Sequence, residues 1–396
     1  MTAKTKSQKI EEVLIRGVEN VYPDCQTLET VLKSGKKLRI YCGIDPTGKL
    51  HLGHGAVLGK LRQFQDLGHE VIVLIGDFTA TIGDPTGKNV ARKALTRKQV
   101  LAFAKNYKKQ IRKILDFNKS DVKFLYNEEW TNKLKPIDLL AIASKFTVAR
   151  LLERDMFQRR IKAGKDIHAH EFLYPVFQAY DAVTMDIDMQ IGGNDQTFNM
   201  LAGRKLMKKM KNKKTFVLTT KLLVDPTGKK MGKTEGNMIN LDESPREMYG
   251  KIMNWPDNLI GIGFELLTKL SIAEINKLMK SNANPKDIKA RLAREIVTMY
   301  HSKKEAEKAE KEFNKVFKEK GLPTKIPEIK IRKKELNILD LLVKTRLVSS
   351  KAEAKRLIEQ KGVKIDSKVQ KDWKAVIEIK KGQIIQVGKR RFAKIK

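Results

Sequence analysis

Apolar residues along this chain follow two rhythms. From residue 38 to about 255, short apolar runs at Leu38–Ile44, Val71–Ile75, Val122–Leu125, Met185–Ile191 and Phe216–Leu218 read as strands. The stretches between them set apolar residues at helical spacing, as Ala56, Val57, Leu58, Leu61 and Phe64 do after His54. Such alternation predicts an α/β domain with a parallel sheet covered by helices on both faces, which locates a site at the carboxyl ends of the strands. Ile137 to Phe157, with Leu139, Leu140, Ile142, Ala143, Phe146, Val148 and Leu151 in helical periodicity, reads as part of an insertion over about residues 127–165. Its apolar face could pair with a copy of itself.

After Trp255-Pro256-Asp257 the pattern turns wholly helical and ends in the charged stretch Lys303 to Lys320, whose charges suit a solvated face. Two prolines and a glycine between Gly321 and Pro327 mark a linker. Beyond it, short helices at Ile338–Val343 and Lys351–Glu359 precede alternating segments at Val363–Ile365, Val376–Ile379 and Ile384–Val387, a small helix-plus-hairpin domain. The division expected is 1–257, 258–328 and 331–396.

With 396 residues, 41% of them apolar and 32% charged, the chain has material for two or three cores. A polar N-terminus, and no apolar run near the roughly eighteen residues of a membrane span, predict a cytoplasmic protein without a membrane partner. Two cysteines, Cys25 and Cys42, fit a reducing compartment as ordinary thiols. The net charge of +35 suits a polyanion, although lysine richness is also a habit of whole proteomes. The distribution separates the two. Residues 331–396, one sixth of the chain, hold 20 Lys or Arg against 7 Asp or Glu, net +13, so nucleic acid bound partly through this end is the expected partner.

Candidate chemistry collects at the predicted strand ends. Tyr41-Cys42-Gly43-Ile44-Asp45-Pro46-Thr47-Gly48 closes the first strand, and His51-Leu52-Gly53-His54 opens the next helix. A helix start offers unpaired N–H groups and the positive end of the dipole, so imidazole donors there make a phosphate cradle. Two histidines at this spacing also suit a metal pair or simple packing, although no third ligand of fixed spacing accompanies them. Gly83-Asp84-Pro85-Thr86-Gly87-Lys88 permits close backbone approach, with Asp84 to neutralise an ammonium and Lys88 and Arg92 to reach phosphate; a plain turn explains its Gly and Pro equally well. Tyr174, Gln178 and Asp181 share one helix face, pointing either at solvent or at a ligand in an apolar pocket. In Gln190-Ile191-Gly192-Gly193-Asn194-Asp195-Gln196, paired glycines and an acid suit ribose and amino-acid contacts. Lys229-Lys230-Met231-Gly232-Lys233-Thr234 could close over phosphates, and in so lysine-rich a chain it gains weight only in combination with the histidine pair.

Together these residues resemble the class I aminoacyl-tRNA synthetases, specifically the bacterial-type tyrosyl-tRNA synthetases. The family's His-Ile-Gly-His signature corresponds to His51-Leu52-Gly53-His54, and its Lys-Met-Ser-Lys-Ser signature to Lys230-Met231-Gly232-Lys233-Thr234. The Tyr-Cys-Gly-x-Asp-Pro-Thr strand end, the Tyr-x-x-x-Gln-Ala-Tyr-Asp helix and the Gly-Gly-x-Asp-Gln turn narrow the resemblance to tyrosine. Ser350 to Ile358 and Gly362 to Asp366 resemble a small RNA-binding domain found in a ribosomal protein and at this family's C-terminus. The loop before His51 is one residue shorter than in some relatives, which leaves Gly48 and Lys49 without counterparts.

The resemblance implies a Rossmann-like catalytic domain, a helical anticodon-side domain and a small α+β RNA-binding domain, assembled as a homodimer through the insertion. It implies that Tyr41 and Asp181 bind the tyrosine hydroxyl, that Asp84, Tyr174 and Gln178 hold its ammonium, and that Gln196 sits near its carboxylate. Gly43, Asp45, Gly53, His54, Gly193 and Asp195 would line the adenosine side. Thr47 and His51 would meet the terminal phosphates with Lys88, Arg92, Lys230, Lys233 and Thr234. ATP with magnesium, L-tyrosine and tRNA(Tyr) would be the substrates, with no zinc site. A small-molecule nucleotidyltransferase would share the histidines without needing the lysine loop or the basic end. A tryptophanyl enzyme would leave Tyr41 and Asp181 unsatisfied against an indole, and a purely RNA-binding protein would not need either phosphate-binding segment.

Overall fold

The computed structural model describes residues 5–86, 95–224, 238–317, 326–331, 333–388 and 391–396. The chain divides into two compact units, Met1–Ala306 and Glu307–Lys396.

The first unit is built on a six-stranded sheet: β1 (Val18–Tyr22), β2 (Arg39–Ile44), β3 (Glu70–Ile75), β4 (Val122–Tyr126), β5 (Met189–Gly193) and β6 (Phe216–Thr220). Their order is β1-β6-β5-β2-β3-β4, with β1 antiparallel to β6 and every other pair parallel. Val71, Val73 and Ile75 are fully buried, as a strand covered on both faces requires. The chain progresses outward in opposite directions from β2 and from β5, so the crevice of an open α/β sheet falls between those two strands.

Three local expectations shift. The apolar run from Met185 yields a strand only from Met189, because Met185 still caps the helix Ala169–Thr184 and Asp186 turns the chain with φ 49°. The apolar stretch Ile137 to Phe157 falls on three helices, Pro136–Ala143, Val148–Leu152 and Asp155–Lys162, since Thr147 starts a new helix by accepting the Arg150 N–H on its side chain. Strand β1 escapes the pattern because its edge position leaves Glu19 and Asn20 exposed.

The second unit has its own core. Helices Ile338–Lys344 and Lys351–Glu359 contribute Ile338, Leu341, Leu342, Ala354 and Ile358, which pack with Val363, Ile385 and Ala393. Strands Glu328–Ile329, Val363–Ile365, Lys368–Val369, Ile384–Val387 and Arg391–Ile395 form one sheet, and Glu335–Asn337 pairs with Val376–Glu378. No helix among the described residues is long and apolar enough to cross a membrane.

Candidate active site

The end of β2 runs into His51, the N-cap of the helix Leu52–Asp66. His51 Nδ1 accepts from the Gly53 N–H at 3.1 Å, His54 Nδ1 accepts from the His51 N–H at 3.2 Å, and the two rings lie 4.0 Å apart. Since Nδ1 accepts in both rings, the proton of each neutral imidazole sits on Nε2 and makes that nitrogen a donor. A side chain at Gly53 would meet the His51 ring at 3.0 Å, so glycine is what lets the rings fold over the helix start. Among the described residues no third His, Cys, Asp or Glu completes a metal-ligand group. Leu52 and Leu241 bond across to Ile239 and Leu50, so residues 239–241 run antiparallel beside the helix entrance. Thr47 turns its N–H onto the Asp45 carbonyl at 2.8 Å.

Parallel register sets Tyr41 of β2 opposite Gln190 of β5, and the Tyr41 hydroxyl donates to Gln190 Oε1 at 3.1 Å. Facing them is the helix Ala169–Thr184, which carries Tyr174, Gln178 and Asp181 on one side. Asp181 is buried; Oδ1 accepts from the Trp130 indole at 2.8 Å and Oδ2 from the Asn127 amide at 3.1 Å. Burial, with help from Asp45 and Asp77, pushes its carboxyl up to about 8 against the opposing pull of those two hydrogen bonds. Burial also raises the Tyr41 and Tyr174 phenols well above their ordinary value, so both act as neutral hydroxyls. Gln178 Oε1 is buried without a hydrogen-bond partner, an acceptor for which a ligand donor would be the natural complement. These polar groups therefore face inward.

Two further carboxylates lie nearby. Tyr174 donates to Asp45 Oδ2 at 2.9 Å, and Gln196 Nε2 donates to Asp84 Oδ2 at 2.8 Å. Asp45 Oδ1 accepts from Thr79 at 2.8 Å, and Gly76 is a glycine because a Cβ there would fall 2.1 Å from that oxygen. Gly43 lies exposed at the end of β2, while Gly193 and Asp195 follow β5. A cleft of about 470 Å3, lined in part by Asn194, Leu222, Val224 and Leu259, adjoins Gly193 through Leu222. Lys88, Arg92, Lys230, Lys233 and Thr234 lie outside the described residues.

Sequence reasoning missed Gln190, Asn127, Trp130 and Gly76 as members of this network. Asn127 and Trp130 had a usable signal, since they follow β4 directly and a strand's carboxyl end is where such sheets place their sites.

The chain matches the family tRNA synthetases class I (W and Y) over residues 33–318 and the tyrosine–tRNA ligase SYY-like C-terminal domain over residues 318–395. A doubly flanked parallel sheet with a histidine-capped helix at its crevice is thus the frame of a class I aminoacyl-tRNA synthetase. The chain is 44% identical over 392 residues to the Moorella thermoacetica tyrosine–tRNA ligase, covering 97% of this chain and 94% of that one. It is 45% identical over 398 residues to the Haemophilus ducreyi tyrosine–tRNA ligase, covering 98% and 99%. The C-terminally truncated Aspergillus nidulans mitochondrial tyrosyl-tRNA synthetase superposes with a TM-score of 0.66 at 25% identity, over 80% of this chain and 95% of that one. The chain belongs to the tyrosine–tRNA ligase family.

Proposed function

We propose that this enzyme joins L-tyrosine to ATP, supplied with magnesium, giving tyrosyl-adenylate and pyrophosphate, and then passes the tyrosyl group to the 3′-terminal adenosine of tRNA(Tyr) in the cytoplasm. The observation that carries this reading is a cluster of polar side chains beside a histidine-capped helix: the Tyr41 hydroxyl on Gln190 and the buried Asp181, with Tyr174 on Asp45, Asp84 on Gln196 and the unpartnered Gln178 Oε1. Such a cluster would frame a slot for a molecule with a hydroxyl at one end, toward Tyr41 and Asp181, and an ammonium at the other, toward Asp84, Tyr174 and Gln178. The tyrosine carboxylate attacks the α-phosphorus in line and pyrophosphate leaves, so no protein nucleophile is needed. Catalysis rests on positioning and charge stabilisation. The Nε2 donors of His51 and His54, Thr47 and the Leu52–Asp66 helix start would meet the phosphates, joined by Lys88, Arg92, Lys230, Lys233 and Thr234. Gly43, Gly53, Gly193, Asp195 and Asp45 would line the adenosine side, and the cleft beside Gly193, walled by Leu222, Val224, Leu259 and Ile262 as well as Glu19, Asn194, Lys221 and Asn258, would offer a purine both apolar and polar contacts.

The basic second unit would hold tRNA, bound through phosphates and weakened by salt. Homodimerisation through the insertion is supported by Ile137, Leu140, Val148 and Ile161, which are 50–67% exposed; sedimentation equilibrium at micromolar concentration tests it, a one-chain mass refuting it. For the reaction the test is amino-acid-dependent ATP/pyrophosphate exchange. L-tyrosine supports exchange, and exchange driven equally by tryptophan or phenylalanine would overturn the assignment.

A further inference from the structure

The Asp84 carboxylate has a buried cationic neighbour that no site segment contains. Arg154 lies between the helices Val148–Leu152 and Asp155–Lys162 and is 7% exposed. Its guanidinium lies over the rings of Phe157 and Phe198, 5.6 and 4.9 Å from their centroids. Nη2 donates to Thr86 Oγ1 at 2.6 Å and stands 3.8 Å from Asp84 Oδ1. Thr86 passes the contact on: its hydroxyl donates to Asp84 Oδ1 at 2.6 Å, and its backbone N–H donates to the same oxygen at 2.9 Å. With Oδ1 so occupied, Oδ2, beside Gln196, is the oxygen turned toward a ligand.

Two roles fit a buried guanidinium at this place. It could grip the substrate's carboxylate itself, or act on the substrate through Asp84. The contacts of the guanidinium decide between them. It is stacked on Phe157 and Phe198. Nη2 is committed to Thr86.

We infer that Arg154 is a positioning residue for recognition of the substrate's ammonium group: through Thr86 it holds the Asp84 carboxylate in the orientation that presents Oδ2 to the slot. The inference rests on the proposal that Asp84 receives the ammonium. Arg154 thereby joins Asn127 and Trp130, which hold Asp181, as a residue of the insertion that acts on amino-acid recognition. A planar fork stacked between rings fixes direction as well as charge, which an ammonium on a flexible stem does less well.

The test compares calorimetric dissociation constants of the full-length protein for three ligands: L-tyrosine, tyramine, which keeps only the ammonium, and 3-(4-hydroxyphenyl)propanoate, which keeps only the carboxylate. Arg154→Met weakens tyrosine and tyramine by about tenfold or more and changes the propanoate less than about twofold, the loss of one charge-assisted contact. Arg154→Lys recovers part of the loss. Thr86→Val, which removes the relay hydroxyl while keeping side-chain volume, gives the same selectivity with a smaller factor and carries the test if Arg154→Met does not fold. Equal weakening of all three ligands, or no weakening, overturns the inference in favour of a purely structural arginine. Loss confined to tyrosine and the propanoate overturns it in favour of direct carboxylate binding. Asp84→Asn runs alongside. If it weakens the propanoate as much as tyramine, the underlying reading of Asp84 fails; if it is selective for the amines while the Arg154 and Thr86 variants are not, only the inference about Arg154 fails.

Discussion

Asp181 and Asp84 are both carboxylates with polar company in one slot, yet they are held in opposite ways. Among the described residues Asp181 has only neutral donors, the Trp130 indole and the Asn127 amide, and burial lifts its carboxyl to about 8. Asp84 has a guanidinium behind it, reached through Thr86, and accepts from Gln196 on its other oxygen. A carboxyl without a counter-charge that holds its proton near neutrality can both donate and accept, and so matches a phenol, which does the same. A carboxylate backed by a cation and crowded with donors is an oriented acceptor, suited to an ammonium. On the proposed function, one residue type would read the two ends of tyrosine, with selectivity carried by what stands behind each carboxylate.

Asp181→Asn would break the comparison most severely. The amide can accept from only one of Trp130 and Asn127, leaving a buried donor facing a donor, so tyrosine kcat/KM in exchange falls by about 2–3 kcal/mol of transition-state stabilisation, roughly 30- to 150-fold, while phenylalanine is hardly affected. Parallel losses for both amino acids would count against a hydroxyl-reading role. Gly76→Ala comes next and asks whether the two ends are independent. Its methyl would collide with Asp45 Oδ1 and, at 2.3 Å, with Thr79 Oγ1, and Thr79 also accepts from the Asn127 amide that holds Asp181. The crowding costs about 1–3 kcal/mol and is expected to weaken tyramine and 3-(4-hydroxyphenyl)propanoate together; loss at one end alone would show the ends to be uncoupled.

A third test reads stability against pH. Asp181 titrates near 3.8 when unfolded and near 8 when folded, so between those values the folded state holds a proton the unfolded state has lost, and stability falls as pH rises from about 4 to about 8. Each kcal/mol of this decline corresponds to roughly 2–4 °C in Tm for a chain of this size or somewhat smaller. Asp181→Asn removes that component, and a wild-type Tm profile parallel to the variant's across this range would contradict it.

Much of this was legible in the sequence where the cause is local. The helix face carrying Tyr174, Gln178 and Asp181 follows from spacing, and the histidine-capped helix follows from an apolar strand ending in turn residues. Contacts set by register or by the meeting of distant elements were not. Tyr41 meets Gln190 only because β2 and β5 are neighbours in the sheet, 149 residues apart in the chain, and Arg154 reaches Thr86 across 68 residues. Thr147, a good N-cap residue, divides the apolar pattern of Ile137 to Phe157 into separate helices. That periodicity spoke for apolar faces and not for continuity.

The most direct test of the two-ended slot is a crystal structure of the enzyme with L-tyrosine. The account predicts the phenolic oxygen within about 3.2 Å of Asp181 and the Tyr41 hydroxyl, with the ammonium at the same range from Asp84 Oδ2 and Gln178 Oε1. A tyrosine bound in the reverse direction, or outside the space between β2 and the Ala169–Thr184 helix, would contradict it.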